Sequence, residues 1–211
     1  MLAYVFWHRP LEDVAIEAYE RAQIAFHHSL AHAPPAGFLG SACYRAAELP
    51  WLGGLAGYED WYFTEDYTAL GVLNEAAVGH GHRSVHDDLA RRFGGGAGGL
   101  YGLIEGHSPA TDGSLGRSTV AVWVGRSPGV RRRSLGELLG DGMDPKHASL
   151  WRRQLVLGPA PEFCLLAGER SNLDLPAGVA ATRLPEGWTA TIVEREALVV
   201  GEDFSEPHGR A

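Results

Sequence analysis

Cysteine is nearly absent: Cys43 and Cys164 are the only two in 211 residues, too few for a disulfide scaffold. Each sits in an apolar, strand-like run, which suits a buried thiol in a reducing compartment. Basic charge is also short. The formal net charge of −8 disfavours a nucleic-acid or anionic-membrane partner on electrostatic grounds, and the one basic cluster, Arg131-Arg132-Arg133, reads as a solvated helix start. No apolar run reaches the roughly 18 residues of a membrane-spanning helix. The first residues enter a strand pattern without the basic region and cleavage site of a signal peptide, so a cytoplasmic protein is expected. Catalytic signatures are missing too. There is no Gly-x-Ser-x-Gly elbow, and the glycine-rich run 94–99 lacks the Lys-Ser/Thr of a phosphate-binding loop.

What is present is an ordinary globular composition, 45% hydrophobic and 21% charged, with length for one large domain or two of about 100 residues each. Residues 2–9 alternate at period two, with Tyr4, Phe6 and His8 on one face and Val5, Trp7 and Arg9 on the other, which predicts a strand. Leu11, Ala15, Tyr19, Ala22, Phe26 and Leu30 form one apolar stripe and predict a helix over 11–31. Glu12, Asp13, Glu17 and Glu20 enrich its early turns and His27, His28 and His32 lie near its end, as the helix dipole favours. Strands follow at 38–46 and 57–64. Thr64 or Asp66 can cap a second helix, which the pair Gly79 and Gly81 divides in two. Residues 94–99 are expected to end that segment, and a short strand to occupy 100–105.

The element order to this point, β-α-β-β-α-β, is that of a ferredoxin-like unit. Residues 108–117 have linker composition, and the pattern then restarts. A strand is expected at 119–124, a short helix at 131–139, a hairpin of 150–157 with 162–167, and one or two strands within 188–200. The division read from this is a ferredoxin-like half over 1–107, a linker over 108–117, a degenerate second half over 118–203 and a polar tail. Two such units in one chain resemble the dimeric α+β-barrel superfamily in its fused form. Within residues 2–106, an acidic helix ending in His32-Ala33-Pro34 with a Gly37-Phe38 strand start looks like EthD-type proteins. An aromatic strand followed by a helix looks like antibiotic-biosynthesis monooxygenases. The resemblance implies an α+β fold, two βαββαβ halves pairing into an intrachain barrel. It also implies a bacterial small-molecule enzyme such as a cofactor-free monooxygenase, isomerase or cyclase, or else a haem-binding or non-catalytic assembly protein.

Three sets of residues are candidates for chemistry. The first is an apolar pocket between the first-half sheet and its helices. There Trp61, Tyr62 and Tyr101 would wall a flat, aromatic or polyketide-like substrate, and His8, His32 or Glu105 would act as general base. No cofactor is called for. The second is a metal site at His82 and His86, which share a helix face at i, i+4 spacing, with His80 reached through the glycine break. His80-x-His82 with Asp87 and Gly94 also matches part of a cupin motif, but the flanking run reads as helix and no second motif occurs. The third is haem on His86 or His147. The partner expected is a small molecule, not nucleic acid or membrane, for a chain that is a monomer or a homodimer.

Overall fold

The computed structural model describes residues 1–79, 81–117, 119–131, 148–156, 161–167 and 184–201. The element order is β1 (Leu2–Pro10), α1 (Ile16–His32), β2 (Phe38–Leu49), β3 (Leu55–Thr64), α2 (Tyr67–Val78), α3 (Arg83–Ala90) and β4 (Phe93–Glu105). It continues with β5 (Val120–Arg126), β6 (Ala148–Val156), β7 (Phe163–Ala167) and β8 (Trp188–Gly201). All eight strands pair antiparallel in one closed barrel, in the spatial order β1-β3-β2-β8-β5-β7-β6-β4. Each set of four strands has the same order: β4-β1-β3-β2 in the first, β8-β5-β7-β6 in the second. Closure leaves none of the described strands with an unpaired edge. Among the described residues, no helix is long and apolar enough to cross a membrane.

Most expected elements form where the periodicity places them, and three boundaries differ for physical reasons. Helix α1 starts at Ile16 and not Leu11, because the Leu11 amide donates to the Arg92 carbonyl and prolongs the β1–β4 pairing. The glycine run 94–99 lies inside β4 and does not punctuate it. A Cβ at Gly96 would stand 2.3 Å from the Trp7 carbonyl oxygen, and one at Gly98 would stand 2.8 Å from the Tyr4 hydroxyl. Glycine here is what a close backbone approach requires, not what a turn requires. The segment of linker composition is packed: Leu115 is fully buried and its carbonyl accepts from the Tyr44 hydroxyl at 2.6 Å. Asp66 caps α2 by accepting from the Ala69 amide at 2.9 Å. The expected helix at 131–139, His80 and His147 lie, apart from Arg131, outside the described residues.

Strand alternation divides the buried side chains into two layers. Trp7, Trp61, Phe63, Tyr101, Trp123 and Trp151 point into the barrel and fill it. Among them Glu59 and Arg195, both 0% exposed at the side chain, form an ion pair. Glu59 also accepts from the indole N–H of Trp61 (2.7 Å), Trp7 (2.8 Å) and Trp123 (3.2 Å). The Arg195 guanidinium lies 4.0 Å from the centre of the Tyr44 ring. A buried charge is tolerated only when paired and hydrogen-bonded in this way. Helices α1, α2 and α3 cover the opposite face of the first four strands.

Removing one member of that pair strands a charge in the core. Arg195→Met is expected to lower the unfolding free energy by about 3–5 kcal/mol, read as a lower urea midpoint at unchanged slope. The double variant Glu59→Gln/Arg195→Met should recover part of the loss, since no unpaired charge remains.

Candidate active site

The outer face of β1, β2 and β3 carries a second buried polar system. Register places it there: Asp60 is the direct partner of Cys43 on β2 and of Phe6 on β1, and His8 stands two residues beyond Phe6 on the same face. His8 Nε2 lies 3.1 Å from Asp60 Oδ2, and His27 Nε2 of α1 lies 3.5 Å from Asp60 Oδ1. The Tyr62 hydroxyl donates to Asp60 Oδ2 at 2.9 Å. The far nitrogens of both imidazoles are also engaged: His8 Nδ1 with the Tyr19 hydroxyl at 2.6 Å, and His27 Nδ1 with Ser41 Oγ at 2.7 Å. His27 stacks on Tyr62 at 5.2 Å, and His8 stacks on Tyr58 at 5.6 Å. His8, His27 and Asp60 are at most 1% exposed.

The electrostatics follow from that geometry. Burial alone would raise the Asp60 carboxyl, but the facing His8 and His27 hold it well below the usual carboxylate range. Burial, reinforced by the Asp60 charge, pushes the Tyr19 and Tyr62 phenols up, so both remain hydrogen-bond donors. The same two causes push the Cys43 thiol well up. His8, Cys43 and Asp60 each present a donor atom within 4.8 Å of the others.

This polar floor borders a cavity of about 740 Å³ between the sheet and the three helices. Tyr4 and Phe6 of β1, Phe26 of α1 and Leu73 of α2 supply apolar wall, while Gln23, Asp60 and Tyr62 supply polar atoms. The volume lies in the range of small-molecule sites, roughly 300–1,000 Å³.

Of the residues expected at a pocket, Tyr62 lines the cavity, and His8 stands behind the lining, against Asp60. Trp61 and Tyr101 point the other way, into the barrel, because each lies one residue out of step with the cavity face. Tyr101 donates to the Pro161 carbonyl at 2.7 Å. His32 and Glu105 are exposed at element ends and take no part in the floor. His82 is buried at the start of α3, with Nδ1 on Ser29 Oγ at 2.7 Å and Nε2 on the Ala33 carbonyl at 3.1 Å. Both its ring nitrogens are engaged in these contacts. His86 instead borders the cavity, against Phe26, with Nδ1 3.5 Å from Asp87. Asp60, His27, Tyr19, Gln23 and Ser41 complete the floor and were not singled out from sequence. One signal was available: Glu59-Asp60 is an acidic pair inside a strand otherwise aromatic and buried on both faces.

No family model and no curated protein sequence matches the chain. Solved structures of similar fold include the following three. A monooxygenase-like protein from Fusobacterium nucleatum superposes with a TM-score of 0.57 at 9% identity, over 94% of this chain and 93% of that one. An anthrone oxidase-like protein gives 0.55 at 10%, over 96% and 94%. A chlorite dismutase-like protein gives 0.56 at 13%, over 96% of each. At these identities the likeness establishes the α+β barrel and carries no residue assignments.

His82 ties α3 to α1, and this can be measured apart from catalysis. His82→Ala should cost about 1–3 kcal/mol from the loss of its two half-buried hydrogen bonds. The α3 amides should lose hydrogen-exchange protection, with those of β5 and β8 little changed.

Proposed function

We propose that the protein is a small-molecule enzyme that takes a flat aromatic or polyketide-like substrate into this cavity. The reaction starts with proton transfer at the floor and proceeds as an isomerisation, a cyclisation or an oxygenation. The observation that carries this reading is an apolar cavity whose wall converges on one buried carboxylate held by two imidazoles. A non-catalytic assembly protein has no need to keep such a cavity open or to bury a charge beneath it. The chain is read as two fused ferredoxin-like units, supported by the strand order that occurs twice. Barrel closure within one chain makes a monomer sufficient.

The floor has the parts for moving a proton. With the Tyr19 hydroxyl donating to His8 Nδ1, His8 Nε2 carries the ring hydrogen and directs it at Asp60. The Asp60 carboxylate takes the substrate proton, and the hydrogen on His8 Nε2 orients that carboxylate. His27, oriented by Ser41, supports the same carboxylate from the other side. Gln23 and Tyr62 are placed to orient polar substituents, and the aromatic walls hold the ring.

Hydroxylated bicyclic and tricyclic aromatics, screened with and without oxygen, are expected to raise the melting temperature and to include a substrate. Asp60→Asn should lower turnover at least about 100-fold, as loss of an acid–base group does, while aromatic binding persists. Leu73→Trp, which fills the cavity from α2, should abolish binding. Full turnover in Asp60→Asn would exclude the proton role, and no binding by any aromatic would exclude the cavity reading.

A further inference from the structure

We infer that His8, Cys43 and Asp60 form a binding site for a divalent transition-metal ion, with His27 as the fourth donor. Three observations carry this. The donor atoms of His8, Cys43 and Asp60 lie within 4.8 Å of one another, and all three residues are buried. Asp60 Oδ1 and His27 Nε2 are buried and have no hydrogen-bond partner, though they stand only 3.5 Å apart. The imidazoles are oriented from behind, His8 by Tyr19 and His27 by Ser41, as the second sphere of a metal site orients its ligands.

The donor types choose the ion. A thiolate with two imidazoles and one carboxylate suits zinc, cobalt(II) or iron(II), and disfavours magnesium and calcium, which take oxygen donors. One thiolate and one carboxylate also neutralise a divalent ion, so the occupied site buries no net charge. Binding requires Cys43 to release its proton to solvent, because the thiolate and not the thiol is the ligand. The ion takes up the Asp60 carboxylate that the proposed proton transfer uses. Metal and substrate proton therefore compete, and metal uptake switches the floor off without closing the cavity. The donor set stands independently of which reaction the cavity performs.

The test uses the full chain, purified without an affinity tag and stripped with a chelator, then titrated with cobalt(II). A thiolate-to-cobalt charge-transfer band should grow and saturate at about one equivalent. Cys43→Ser should abolish the band and Cys164→Ser should keep it. Tyr19→Phe and Ser41→Ala should weaken affinity roughly 10- to 100-fold, and Asp60→Asn and His27→Gln by more. Where a variant fails to fold, zinc-edge X-ray absorption of the wild-type protein decides. One sulfur at about 2.3 Å with nitrogen or oxygen at about 2.0–2.2 Å supports the site. A shell without sulfur, no cobalt band, or a band that survives Cys43→Ser overturns it. Aromatic binding to the metal-free protein is scored separately, so failure of the cavity reading and failure of the metal site give different results.

Discussion

The barrel is organised around one buried ion pair. Glu59 comes from β3 and Arg195 from β8, strands that belong to different sets of four and flank β2 on either side. Around Glu59 the indole nitrogens come from β1, β3 and β5, so five donor and acceptor groups must be in place at once. A carboxylate offers about four lone-pair positions, and here Trp7, Trp61, Trp123 and Arg195 fill them. Such a network is favourable only when complete, and it is complete only when β1, β3, β8 and β5 stand in the observed register and curve its members together. The pair therefore specifies closure more than it adds net stability.

The next residue along β3 belongs to the other system. Asp60 points outward, and its compensation comes from imidazoles and a phenol, with no guanidinium. The two acids are separated by one peptide unit yet serve opposite faces of the sheet. One is fully buried among tryptophans. The other borders a cavity, and its partners are groups that can exchange protons or coordinate an ion. That difference, set by strand alternation alone, separates the charge inside the barrel from the one beside the cavity.

The helices shape the space over that outer face. Helix α1 carries Tyr19, Gln23 and His27 at spacings of four, so one helical edge is laid along the floor. Helices α2 and α3 stand off from the sheet and leave the cavity between them and β1. His82 anchors α3 to the end of α1 through both ring nitrogens, which holds His86 and Leu89 at the wall. The glycines of β4 admit the Tyr4 ring and the β1 backbone at a distance that no side chain would allow.

Period-two and helical periodicity determined most of the elements, the order β-α-β-β-α-β of the first half and the burial of both cysteines. These depend on local steric preference and on which face of a segment is apolar, and both are written in consecutive residues. His8 and Tyr62 could be picked out because they sit on strands rich in aromatics. Trp61 and Tyr101 could not be assigned to a side, because a strand buried on both faces does not say which face meets the barrel and which meets the helices. Asp60, His27 and Ser41 come from β3, α1 and β2, and only the β2–β3 register and the seating of α1 bring them together. The pairing of Glu59 with Arg195, 136 residues apart, belongs to closure of the barrel. Tertiary structure alone decided these, because long-range register is set by the whole set of strand pairings and is not encoded in any one segment.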